Sequence, residues 1–199
     1  MNIFYLDHDT QKCAEMHNDK HVVKMILEYA QLLSTAHRIL DGVLSTGVSA
    51  SGRKKTVYVL ADDRDTTLYS ATHVNHPSAV WVRQSDANYM WLAELLEMVC
   101  GEYTYRYGKV HKVEKDGLMQ ALKNNFPKNI SNQPFTEPTP AMPEHCKVPG
   151  DSITSYRNYY FQEKGRMWSW SGKINSRHMP VWLSDKINYD KAVKSNASV

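Results

Sequence analysis

The stretch from Lys20 to about Leu40 constrains the fold most, because it holds one helical period without a break. At about 100° per residue, Val22, Val23, Met25, Ile26, Tyr29, Leu32, Leu33, Ala36 and Leu40 share one broad apolar arc, which has to lie across a core. Asn18-Asp19 starts this helix and Gly42 ends it. His21, Lys24, Glu28, Gln31 and Thr35 form a polar stripe on the opposite edge, bordered by Lys20 and Arg38.

Other segments read as helices by the same rules. Asp9-Thr10 caps a short helix from Gln11 to about His17, and a short turn carrying Trp81 and Arg83 follows Pro77. Ser85 caps a second long helix, Asp86 to about Tyr107, which Gly108 stops. Residues 117–125 fit a short helix, and Asp151-Ser152 caps a last one, Ile153 to about Met167. Between Val43 and Ala71 the texture becomes Ser-, Thr- and Gly-rich up to Gly52, then alternates through Lys55–Leu60, which predicts a flexible loop with a small hairpin. Six of the eight prolines lie between Pro127 and Pro149, which excludes helix there. The expected architecture is mainly α: a compact single-domain helical bundle over 1–185, with a small β-hairpin or loop insertion at 43–71, a Pro-rich loop at 127–149 and a flexible tail at 186–199.

At 199 residues the chain can build a core without disulfides or structural metal. Its 24 Lys+Arg against 21 Asp+Glu give +3, which disfavours an extended nucleic-acid surface, so any basic site must be local. Cys13, Cys100 and Cys146 are odd in number and form no CxxC pair, which fits buried thiols in a reducing compartment. No apolar run is long enough for a bilayer, and Met1-Asn2-Ile3 opens no signal peptide, so the expectation is a soluble intracellular chain without membrane contact. P-loop, GxGxxG and GxSxG patterns are absent. His17 and His21 have i,i+4 spacing with His8 upstream, but Asn18-Asp19 interrupts the helix between them and no HExxH or Cys/His cluster completes a ligand set. Neither a metal nor a cofactor is expected.

Three constellations can carry chemistry. A lone Lys24–Glu28 pair is an ordinary surface ion pair, but His21, Lys24, Glu28, Gln31 and Arg38 together place an imidazole, an amine, a carboxylate and an amide along one helix, where they can bind phosphate and move a proton. Thr72-His73-Val74-Asn75-His76-Pro77 sets Asn75 and His76 in extended or turn backbone, followed by Trp81 and Arg83, an aromatic and a guanidinium suited to a base and a phosphate. On the last helix Arg157, Tyr160 and Lys164 share a face, and Glu102-Tyr103-Thr104-Tyr105-Arg106-Tyr107 repeats the mixture of basic and aromatic side chains.

Asp19-Lys20-His21-Val22-Val23-Lys24 with Glu28 and Gln31, then Asn75-His76-Pro77-Ser78-Ala79-Val80-Trp81, then Glu102–Gly108, resemble over most of the chain a family common in tailed-phage genomes. More remotely, the first 110 residues are similar to the pyrimidine-dimer DNA glycosylase family, through the helix pattern and the Asn-His-Pro stretch. That resemblance implies a compact helical protein acting in a host cytoplasm on DNA by base excision. In that family's best-known phage member an N-terminal amine attacks the sugar carbon and a helical glutamate supports the chemistry. Glu28 is the position that matches the glutamate. The nucleophile does not carry over, because Asn2 is too large for efficient Met removal, and the family's arginines are replaced by His21 and Lys24 or displaced.

The chemistry can be rebuilt in two ways. Lys24, if desolvated, becomes the imine-forming amine, or Glu28 activates water. A base stacked on Trp81 and a phosphate on Arg83 or Arg38 complete that picture, with Lys20, Gln31, Asn75, His76, Arg157, Tyr160 and Lys164 as further binding groups. The sequence thus points to a DNA N-glycosylase-like enzyme with DNA or a nucleotide as partner. Its alternatives are a nucleotide- or modified-base-directed transferase or hydrolase, and a non-enzymatic protein that sequesters a nucleotide or contacts a host protein.

Overall fold

A computed structural model describes residues 1–48 and 51–196. It is mainly α: α1 (Thr10–Met16), α2 (Asp19–Asp41), α3 (Arg64–Thr67), α4 (Pro77–Val82), α5 (Asp86–Tyr107), α6 (Lys112–Lys115), α7 (Leu118–Asn124), α8 (Ser152–Glu163) and α9 (Val181–Asn196), with one hairpin, β1 (Val43–Val48) and β2 (Lys54–Val59). The long helices start where the caps predict. Asn18 accepts a hydrogen bond from the His21 backbone N–H, Ser85 from Asn88 and Asp151 from Thr154. Gly108 ends α5 in the left-handed region at φ 61°, which glycine adopts without strain, and a Cβ there would also push the Ile174 side chain aside.

The core is the seam between α2 and α5, closed by α1, α4 and α7. Val22, Met25, Ile26, Tyr29, Leu32, Leu33 and Ala36 are all buried, and so are Tyr89, Leu92, Leu95, Leu96 and Val99 opposite them. Val23 and Leu40, at the margins of the arc, are left partly in solvent. The N-terminal segment, with Ile3, Tyr5 and Leu6 fully buried, threads beside this seam without joining a strand. Buried backbone needs partners, and here side chains supply several. The Tyr29 hydroxyl accepts from the Phe4 N–H at 3.3 Å, the Cys13 thiol donates to the Phe4 carbonyl at 3.2 Å, and Arg157 Nε donates to the Leu6 carbonyl at 3.0 Å.

Four local differences from the expected elements have physical causes. The partner of β2 is the Ser/Thr/Gly-rich segment expected to be a loop: Val43 pairs with Val59 and Val48 with Lys54, antiparallel. Both faces of this hairpin are largely exposed, so it lacks the apolar alternation that would have announced β1. α8 ends at Glu163 and a separate 3₁₀ turn spans Gly165–Met167, because Gly165 interrupts the expected run to Met167. α6 falls where no helix was expected, a single turn capped by His111. The segment expected as a flexible tail from Lys186 continues a helix that runs from Val181 to Asn196. Pro180 leads into this helix, which buries only Leu183 and so has no amphipathic signature. The expected tail's last residues, 197–199, lie outside the described ones.

The proline-rich stretch is non-helical apart from a 3₁₀ turn at Glu144–Cys146, and it is tied down: Thr136 N–H donates to Asn88 and Ser152 N–H to Glu137. All three cysteines are buried free thiols. Among the described residues no helix is long and apolar enough to cross a membrane.

Candidate functional site

A cavity of about 490 Å³ opens beside the first turns of α2, where its polar stripe meets the N-terminal segment and the end of α8. Lys20, His21, Lys24 and Glu28 line one wall because they are one helical turn apart. Met1, Asn2 and Phe4 form a second wall; Tyr159, Glu163, Lys164 and Arg166 form the third. The Glu28 carboxylate, 12% exposed, sits among amines: Lys24 Nζ is 3.0 Å away, the Met1 amino nitrogen 3.8 Å, and the Asn2 N–H donates to it at 3.2 Å.

His21 is buried at the back of the cavity, its ring stacked on Phe4 with centroids 4.0 Å apart. Its Nδ1 lies 2.5 Å from the Tyr160 hydroxyl. Burial, then the neighbouring His17, Lys164 and Lys24, push its pKa down to about 2, so it stays neutral. Behind it, fully buried His17 donates from Nδ1 to the Cys13 carbonyl at 2.6 Å, and its Nε2 takes the Tyr29 hydroxyl at 2.8 Å. Burial lowers its pKa to about 4. Lys164 Nζ sits 4.2 Å from the Tyr159 ring centroid and donates to the Tyr159 hydroxyl at 2.8 Å.

The structure thus gathers Lys20, His21, Lys24, Glu28 and Lys164 at one place, with Tyr160 acting through His21. The remaining expected site residues lie elsewhere. Gln31 is half-buried on α2 and does not line the cavity. Arg38, 6% exposed, spends its guanidinium on the Tyr58, Asp65, Leu68 and Tyr69 carbonyls and the Asp65 carboxylate, which fastens the hairpin to α2 and leaves nothing for a phosphate. Trp81 offers no stacking platform either. It is buried edge-on against Trp91 and Phe135, with Nε1 donating to the Thr136 carbonyl at 3.0 Å.

Arg83 donates to the Val74 and Ala79 carbonyls and so holds the Asn75 turn closed. Asn75 is exposed. His76 caps α4 by accepting from the Ser78 N–H, and burial, then the N-terminal ammonium, lower its pKa, so it lies within electrostatic reach of the cavity without lining it. Arg157 meets Leu6, Asp7 and the Trp182 ring. In Glu102–Tyr107 the basic residue is fully buried: Arg106 binds Glu102, Asp19 and the Glu15 and His17 carbonyls. Lys24 as a desolvated nucleophile also needs correction, since its side chain is 69% exposed.

Sequence reasoning missed the Met1 amine, Phe4, Tyr159 and Arg166. One signal was available: the apolar run Ile3-Phe4-Tyr5-Leu6 just before a capped helix marks a buried segment. The structure also brings His145, Cys146 and Glu163 together, with donor atoms within 4.8 Å of one another. His145 Nε2 already meets Glu163 at 2.9 Å, so this grouping is accounted for as an exposed histidine–carboxylate contact beside a buried thiol. A second cavity of about 340 Å³ lies between α3 and α7, but the groups in it are spent on each other. Arg64 binds Asp41, Asp62 and His37, and Lys128 binds Asp62. In the comparisons with known proteins, no family model, curated protein or solved structure matches this chain.

Proposed function

We propose that the cavity at the start of α2 is the active site of a DNA-base-processing enzyme that cleaves an N-glycosidic bond at a damaged or modified base. The observation that carries this reading is the Glu28 carboxylate, nearly enclosed, with Lys24 Nζ at 3.0 Å and the Met1 amine at 3.8 Å. A carboxylate beside an amine can take the ammonium proton and leave a nucleophile. The amine then bonds to sugar C1′ as the C1′–base bond breaks; the base leaves with that electron pair and takes a proton from solvent. Ring opening gives an imine, which water hydrolyses. If solvent takes the ammonium proton instead, the carboxylate stays charged and stabilises the positive charge that develops at C1′. The volume suits a single nucleotide, and Tyr159 supplies an aromatic surface for a base turned out of its stack.

A second reading is a transferase or hydrolase that acts on a free nucleotide or modified base. It is favoured by the size of the cavity beside Glu28, about 490 Å³, which holds one nucleotide without requiring a duplex. Incubation with DNA carrying modified or ultraviolet-damaged bases, and separately with a nucleotide pool, followed by mass spectrometry, separates the readings. Free base released from DNA supports the glycosylase, and an altered nucleotide supports the second reading. A ligand recovered unaltered leaves a sequestering protein. Glu28→Gln is expected to slow base release by roughly 10²–10⁴-fold. Borohydride trapping on abasic DNA, followed by peptide mapping, shows which amine forms the imine. An adduct on neither Lys24 nor Met1 leaves water as the nucleophile.

A further inference from the structure

The protonation of His21 is dictated by its neighbours. The Asn18 side-chain oxygen accepts the His21 backbone N–H at 3.0 Å, which turns the Asn18 side-chain NH₂ toward His21 Nδ1, at 3.3 Å. The Tyr160 hydroxyl, which burial keeps protonated, lies 2.5 Å from the same Nδ1 and is placed to donate to it. Nδ1 therefore faces two donors and carries no hydrogen. A neutral ring then carries its hydrogen on Nε2, the nitrogen left for the cavity that the ring lines.

The same cavity is lined by Lys20, Lys164 and Arg166, none of which has a carboxylate partner among the described residues, whereas Lys24 is taken by Glu28 and the other lining carboxylate, Glu163, meets His145. A fixed neutral donor in a cavity that holds these uncompensated cations selects an anionic oxygen, and a planar neutral base would leave those charges unmatched. We infer that His21 presents a locked Nε2–H donor to the cavity and that this end of it is a phosphate subsite, completed by Lys20, Lys164 and Arg166. The subsite deepens the reading of the cavity as a substrate site by naming the group that fixes the sugar relative to Glu28. Tyr160 is a positioning residue in this scheme: it sets the tautomer and never meets the ligand.

The groups facing His21 from every side keep it from titrating. They are His17 and Lys24 on its own side of the fold, Tyr160 from α8 and Lys164 just past its end, and the Phe4 ring from the N-terminal segment. Long-range ¹⁵N–¹H spectra of the full chain, labelled at histidine, read the tautomer directly. The expected result is a protonated Nε2 whose shifts stay constant between about pH 5.5 and 8, and whose signals move saturably with inorganic phosphate. A deoxynucleoside monophosphate and an abasic single strand form the next two arms, with the unphosphorylated nucleoside as control; the tighter arm identifies the source of the phosphate.

Tyr160→Phe removes the donor to Nδ1. It is expected to let the second tautomer appear and to weaken phosphate binding roughly fivefold, the worth of one hydrogen bond. Should that variant fail to fold, His21→Gln, which keeps an N–H donor, is expected to retain more phosphate affinity than His21→Leu. The inference is overturned by a protonated Nδ1, by a His21 that titrates in this range, by ring signals indifferent to phosphate, or by a response to inorganic phosphate but to neither ester. Base release without a phosphate response sinks this inference alone, and phosphate binding without base release sinks only the glycosylase reading.

Discussion

Arg106 is fully buried, and its replacement by Met, which fills similar space, tests how the site is held. Its Nε binds the Glu102 carboxylate at 2.7 Å, Nη1 the His17 carbonyl at 2.9 Å and Asp19 at 3.0 Å, and Nη2 the Glu15 carbonyl at 2.9 Å. These partners are the end of α1 and the first residue of α2, directly before Lys20 and His21. Removing one member of a buried pair costs about 3–5 kcal/mol, since the other charge stays behind. Glu102 is only 1% exposed, but it keeps Arg177 at 3.0 Å, which places that cost near the lower limit. The two carbonyls lose a partner and add about 1 kcal/mol each. Arg106→Met should therefore destabilise by about 4–5 kcal/mol, or lower Tm by roughly 10–15 °C for a domain of this length. Urea unfolding followed by circular dichroism measures it, with an unchanged m value as the check on two-state behaviour. Because the loss comes from a stranded carboxylate, Arg106→Met with Glu102→Leu should recover about 1–3 kcal/mol. A single variant within 1 kcal/mol of wild type, or a double variant no better than the single, refutes the reasoning.

Two further outcomes follow from the same geometry. Burial lowers the pKa values of His17 to about 4, His21 to about 2 and His37 to about 4. The unfolded chain takes up these protons near pH 6.5 and the folded chain refuses them, so stability is complete above that pH and falls as the pH drops toward the folded values. Each histidine contributes a slope of about 1.4 kcal/mol per pH unit, so the three together should give about 4 kcal/mol per unit near pH 5; urea midpoints at several pH values read it, and a flat profile from pH 7 to 5 would show that these rings are protonated in the folded protein. Arg38→Ala should cost about 2–4 kcal/mol and speed proteolysis within the β1–β2 hairpin, while leaving phosphate binding at His21 unchanged; an equal loss of phosphate binding would return Arg38 to the site.

How much of this was legible depended on whether the physics was local. α2 and α5 could be read because caps and a 3.6-residue period both lie within the helix itself, and the stripe Lys20, His21, Lys24, Glu28 could be read because helical geometry alone brings those side chains together. β1 and α9 could not, because each buries too little to impose a pattern on its sequence. Phe4, Tyr159 and Arg166 reach the cavity only through the packing of the N-terminal segment against α2 and α8, across more than a hundred residues of chain, and no spacing rule encodes that.

The misplaced arginines have a common cause, and it bears on how basic residues are weighed in a small helical domain. A guanidinium carries five donors in a rigid fork, so it is the side chain best able to tie together carbonyls at helix ends and loops. Arg38, Arg83 and Arg106 all do this, and Arg38 spends its whole fork on it. A lysine has one compact charge on a flexible stem and cannot staple several carbonyls at once, so it is more often left at a rim. Here Lys20 and Lys164 stand at the cavity without a carboxylate partner, joined by the single arginine, Arg166, that follows a helix end in an exposed 3₁₀ turn. The weak net charge of +3 is then the sum of two populations. One is consumed in holding the fold; the other has no carboxylate partner among the described residues, and three of its members, Lys20, Lys164 and Arg166, stand where Glu28 and His21 can use them.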